Sequence, residues 1–153
     1  MLPSCQPGAR VPVYENIPLD RKQRKLLEQF TEALLPRGDS GVTTPETTTD
    51  FVLTVFNDCH SPEDIQKYMV GLAEFQTFVK EKYGSGFGPL GADKQAEIFT
   101  YLSDTEGLPE PLKFFFDTTR GMTIEHFTSS EFFLKNVMDW EFAPGRFVGC
   151  TAV

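Results

Sequence analysis

Apart from its abundant carboxylates, this 153-residue chain has few side chains able to do covalent or metal chemistry: two histidines, three cysteines and one adjacent serine pair. His60 and His126 stand far apart, and neither has the HExxH or equivalent spacing that would pair it with an acid around a metal ion. His60, beside the helix-capping Ser61, reads as a surface residue, and His126, next to Phe127, as a structural, partly buried imidazole rather than a base. Ser129 and Ser130 lack the Gly-x-Ser-x-Gly elbow that exposes a nucleophile. Glu63 and Asp64 suit the start of a helix, and nothing marks Glu106 and Glu110 as an acid/base pair rather than a wet face. The run from Gly84 to Gly91 is dense in glycine, but it lacks the Gly-Lys-Ser/Thr of a phosphate loop and follows no strand pattern. It reads as an interhelical turn with Phe87 and Leu90 tucked inward. No catalytic, cofactor-binding or metal site is expected within this chain.

Cys5, Cys59 and Cys150 are too few and too scattered for a disulfide framework, and no pair has the C-x-x-C spacing of a zinc or redox site. Cys150, near the C-terminus among small residues, is the thiol most able to pair, either with Cys59 or across an interface. Cys59 is expected half-buried at a helix end. Leu2-Pro3-Ser4-Cys5 has the look of the end of a bacterial lipoprotein signal, which makes Cys5 a candidate for lipidation and Met1 a replacement for a removed signal; a chance cysteine in a tail is the alternative.

The elements that must position these residues are helical. Residues 1–18 hold four prolines and neither a helical nor a strand period, and read as an extended lead-in, with a single domain over 19–153. Asp20 opens a first helix with Leu26, Leu27, Phe30, Ala33 and Leu34 inward, ended by Pro36 and Gly38. Thr48, Thr49 or a neighbour caps a short helix with Phe51, Val52, Val55 and Phe56 inward. Ser61-Pro62-Glu63-Asp64 is the clearest local signal, a capping hydroxyl followed by proline and acids, and predicts a long helix closed by Gly84. Ile65, Met69, Leu72, Phe75 and Val79 mark its buried face. Asp93 to Leu102 predicts a helix with Ala96, Phe99 and Leu102 inward, and Pro109–Pro111 opens another running to Gly121. A last amphipathic stretch from Thr123 to Met138, broken near Ser129 and Ser130, carries Ile124, Phe127, Phe132, Phe133, Val137 and Met138. No run alternates long enough for a sheet. The class is all-α, an irregular bundle of five to six helices with an irregular C-terminal tail.

Composition narrows the function classes. With 14 Lys+Arg against 22 Asp+Glu, the net charge of -8 has the wrong sign for binding phosphates, so nucleic acid is not an expected partner. No stretch approaches the roughly 20 apolar residues that span a bilayer. Fifteen phenylalanines are the oddity, and Phe114-Phe115-Phe116 covers much of a helix circumference. Phe114 or its neighbour is therefore exposed unless another chain covers it or a second internal contact takes it in. Trp140, Phe142, Pro144, Gly145, Arg146 and Phe147 in the tail combine aromatic, proline and arginine content of the kind that anchors interfaces.

From about Leu19 to Cys150 the chain resembles the gluconate 2-dehydrogenase subunit 3 family, the small subunit of bacterial membrane-associated flavoprotein dehydrogenases. The matching pieces are LLEQFTEALLPRGDSGVTTP, GLAEFQTFVKEKYGSGFGPLGADKQAEIFTYL, FFFDTTRGMTIEHFTSSEFF and WEFAPGRFVGC, in that order. The resemblance implies a non-catalytic accessory role in the periplasm or cell envelope. In that family an FAD-bearing large subunit oxidises a sugar, sugar acid or polyol, a cytochrome c subunit often passes electrons onward, and the small subunit supports maturation, export or stability. It also implies that Arg120, Gly121, Met122 and Thr123, then Pro144, Gly145 and Cys150, face a partner or define the fold. Family members often carry a twin-arginine signal, and this sequence has none.

The expected partner surface is thus Phe114, Phe115, Arg120, Met122, Trp140, Phe142, Pro144, Gly145 and Phe147. A second reading is a free-standing helical envelope lipoprotein that binds an apolar ligand or another envelope protein. The third, an enzyme in its own right, would need His126, an acid and a nucleophile within hydrogen-bond reach.

Overall fold

A computed structural model describes residues 14–36, 44, 46–138, 140 and 141. Six helices follow one another: α1 (Arg21–Leu34), α2 (Thr48–Cys59), α3 (Pro62–Tyr83), α4 (Ala92–Asp104), α5 (Glu110–Thr128) and α6 (Glu131–Asn136). There is no strand among the described residues.

Local chemistry sets most of the boundaries. Asp20 accepts a hydrogen bond from the Gln23 amide at 2.7 Å while the Gln23 side chain accepts one from the Asp20 amide at 2.9 Å, a reciprocal box that satisfies two orphan donors of α1. Thr47 caps α2, Ser61 caps α3 with Pro62 behind it, and Ser130 caps α6. α3 closes on Gly84 in the left-handed region at φ 69°, its amide bonded to the Lys80 carbonyl.

α5 is the central helix. It packs most heavily on α3, then on α2, and also meets α1 and α6. The phenylalanines gather around Phe30 of α1, whose ring lies 5.0 to 6.2 Å from those of Phe75, Phe87, Phe99, Phe115 and Phe116, mostly edge to face. Phe115 and Phe116 point to different neighbours, Phe115 toward Tyr68 and Phe75, Phe116 toward Phe99, and both are fully buried. A helix surrounded on several sides consumes adjacent rings that a helix with one buried face could not.

Four expectations need correction. The lead-in is packed from Tyr14 onward: Ile17 is buried in the core, Leu19 leans on it, and Asn16 donates its backbone amide to Asn57 Oδ1 at 2.9 Å and its side-chain amide to the Asn57 carbonyl at 3.0 Å. On α2, Thr49, Val52, Leu53 and Phe56 face inward, and Phe51 and Val55 are only half-buried. A threonine takes the inner position because its hydroxyl meets that of Thr31 at 2.9 Å, a pairing that no hydrophobic pattern reveals. On α4, Ile98 and Leu102 are buried and Ala96 is exposed. Finally, α5 does not stop at Gly121. Thr119, Thr123 and His126 continue its buried face, and Thr119 and Thr123 donate to the Phe115 and Thr119 carbonyls, each at 2.7 Å, so their hydroxyls are satisfied inside the helix. The break expected at Ser129 and Ser130 is present.

Candidate partner surface

The outer face of α5 carries Lys113 and Asp117, paired at 3.3 Å, then Arg120, Gly121 and Ile124, all exposed. Arg120 makes no ion pair among the described residues. Ile124, one turn further along, is 45% exposed. At the end of α5 the chain turns, Phe127 and Phe133 meet edge to face at 5.5 Å, and this contact ties the six-residue α6 to α5. No residue of α6 is buried, and Val137, Met138 and Trp140 beyond it are 58%, 61% and 49% exposed. The Trp140 amide donates to the Leu134 carbonyl at 2.8 Å, which seats the indole beside a shallow cavity of about 300 Å³ lined by Ser129, Glu131, Leu134 and Lys135. Lys135 hydrogen-bonds Glu131 and holds its carboxyl below the usual range.

Four of the six exposed large apolar side chains among the described residues, Ile124, Val137, Met138 and Trp140, therefore lie within one short stretch of sequence, the others being Val70 and Tyr101. The apolar pattern placed Ile124, Val137 and Met138 inward; the structure turns them out. The missed signal for Ile124 is its position on the stripe of Lys113, Asp117 and Arg120, which is polar.

Of the residues expected at an interface, Phe115 is withdrawn, because the core of this chain covers it completely. Phe114 is half-buried, 6.3 Å from the Phe56 ring and 4.9 Å from the Lys67 ammonium, which also pairs with Glu110. Met122 is half-buried against the core and Thr123 is buried. Phe142, Pro144, Gly145, Phe147, Cys150 and Cys5 lie outside the described residues. Cys59, the last residue of α2, is exposed rather than half-buried.

A second polar centre joins α2 to α5. His126 is only 2% exposed, its Nδ1 lies 3.1 Å from the Thr48 hydroxyl, and its ring lies 4.7 Å from that of Phe51. Its Nε2 makes no hydrogen bond and faces a Glu46 carboxylate oxygen at 3.6 Å, beyond hydrogen-bond range. The imidazole is thus buried and structural on one side only. The serines singled out in the sequence are engaged elsewhere: Ser129 donates to the His126 carbonyl at 3.2 Å and Ser130 to the Phe127 carbonyl at 2.6 Å. His60 is half-buried, not a surface residue, and stacks on Phe56 at 4.0 Å.

Among the described residues no group of three or more His, Cys, Asp or Glu could hold a metal ion, and no helix is long and apolar enough to cross a membrane. Compared with known proteins, residues 21–145 match the family described as gluconate 2-dehydrogenase subunit 3. No curated protein and no solved structure matches the chain.

Proposed function

The chain belongs to the gluconate 2-dehydrogenase subunit 3 family, and from that membership we propose that it is the non-catalytic small subunit of a bacterial flavoprotein dehydrogenase. Its large partner carries FAD and oxidises a sugar, sugar acid or polyol, in some complexes with a cytochrome c subunit downstream. The small subunit acts in the periplasm or cell envelope, supporting the maturation, export or stability of the large one. The observation that supports this reading is the run of exposed apolar side chains Ile124, Val137, Met138 and Trp140, following Arg120 in sequence, inside the part of the chain that the family match covers. Exposed apolar residues grouped in this way suit a protein partner, with Trp and Arg as its anchors.

The test is an affinity pull-down of the full chain from its own membrane fraction, with mass spectrometry and a flavin absorbance scan of the eluate. A stoichiometric flavin-containing partner, lost in an Ile124→Asp, Trp140→Asp variant that keeps the wild-type circular dichroism spectrum, is the expected result. A colourless eluate without a partner overturns the reading in favour of the free-standing envelope lipoprotein.

A further inference from the structure

The glycine-dense turn from Gly84 to Gly91 plays no part in the partner surface, yet with the start of α1 and the last turns of α3 it encloses a cavity of about 480 Å³. That volume falls within the range of small-molecule sites, roughly 300 to 1,000 Å³. Gly88 of the turn lies against the Gln29 side chain of α1: a β-carbon there would stand 2.2 Å from the Gln29 amide nitrogen, which would have to swing aside. Leu26, Phe75, Val79 and Phe87 supply an apolar floor from three separate elements.

The charge at this cavity runs against the rest of the molecule. The chain has 22 acidic residues against 14 basic ones, but among the described residues no carboxylate lines the cavity, and the charged groups that do are Lys22 from α1 and Lys80 from α3. Both are exposed and, like Lys25 and Lys94, make no ion pair among the described residues, whereas Lys67, Lys82, Lys113 and Lys135 each do. An apolar floor under two unpaired ammonium groups complements a molecule that is apolar at one end and anionic at the other. We propose that this cavity binds a small carboxylate with an apolar body, its carboxylate between Lys22 and Lys80 and its body against Leu26 and Phe87.

The test is a nuclear magnetic resonance titration of the full chain with octanoate, with octylammonium as the probe of opposite charge. Octanoate is expected to shift the Gly84, Gly86 and Gly88 amide signals saturably, while octylammonium leaves them unsaturated. Lys22→Gln, Lys80→Gln together should weaken octanoate binding by about ten-fold, the sum of two exposed ion pairs. Gln76→Glu, which places a carboxylate on the cavity lining, should weaken it similarly and serves if the double variant does not fold. The proposal is overturned by shifts confined to the Ile124 to Trp140 surface, by equal binding of octylammonium, or by octanoate affinity unchanged in these variants.

Discussion

Gly71 of α3 and the Pro111 carbonyl of α5 leave no space between them: a β-carbon on Gly71 would lie 2.0 Å from that oxygen and 2.7 Å from the Phe115 β-carbon. The most extensive helix pair in the protein therefore depends on the smallest residue at its crossing. Since the obstructing atoms are largely backbone, a side chain there must push the helices apart. Gly71→Ala is expected to destabilise the fold by about 3 kcal/mol, the upper end for overpacking. Gly121→Ala, on the open face of α5 with no atom near its added β-carbon, should instead stabilise by about 0.5 to 1 kcal/mol. Urea denaturation of the two variants measures both, and equal midpoints would sink the close-packing argument.

Ile17 tests whether the segment ahead of α1 belongs to the domain. It is buried within the core although it precedes the first helix. Ile17→Ala should cost about 2 to 4 kcal/mol, as for a buried aliphatic residue. A cost below about 0.5 kcal/mol, ordinary for surface positions, would return it to the lead-in.

Asp50 holds three elements together. Its carboxylate accepts hydrogen bonds from Tyr14 at 2.9 Å, Arg24 at 2.6 Å and Thr47 at 2.9 Å. Burial alone would raise its pKa, but these donors outweigh burial and hold it below the usual carboxylate range. Because the folded value lies below the unfolded one, the contribution is present above the unfolded pKa of about 3.9 and is lost as pH falls through the folded value. Asp50→Asn should cost about 1 to 3 kcal/mol near neutral pH, and its stability should fall less steeply than that of the wild type on acidification. Denaturation midpoints across the acid range decide this, parallel acid limbs being the contrary result.

Tyr68 gives the opposite pH dependence. Its ring is fully buried and its hydroxyl meets Thr119 Oγ1 at 2.8 Å; burial raises the phenol pKa well above its ordinary value. The unfolded phenol ionises near pH 10 while the folded one keeps its proton, so this contribution is full below about pH 10 and shrinks as pH rises further. Tyr68→Phe should cost about 1 kcal/mol at neutral pH and lose less stability than the wild type in alkali. An absorbance titration of the native protein should show one tyrosine failing to ionise until the fold opens. If all four titrate together in the folded protein, the assignment is wrong.

Removing residues from 140 onward separates binding from folding. Trp140 lies beyond α6 and on the surface, so the shortened chain should keep nearly all its helix signal. It should also lose co-purification with a flavoprotein partner. Binding that survives the truncation would move the contact off the tail and onto Arg120, Ile124 and their neighbours.

What the sequence by itself determined was the helical class, the caps at Asp20, Ser61 and Gly84, the break at Ser129 and Ser130, the inward turn of Phe87 and Leu90, and the family likeness. Apart from the likeness, which runs along most of the chain, these depend on residues within a few positions of one another, where side-chain hydrogen bonds, proline geometry and left-handed backbone act locally. Tertiary structure alone decided that Phe115 and Phe116 are both buried, that Thr49 faces the core opposite Thr31, and that Ile17 belongs to the domain. It also turned Ile124, Val137 and Met138 outward and placed Lys22 and Lys80 on the lining of one cavity. Periodicity reports which face of a helix is apolar, but not how many neighbours will surround it. Only the packing of α5 among the surrounding helices specifies which apolar side chains are consumed inside the chain and which remain for a partner.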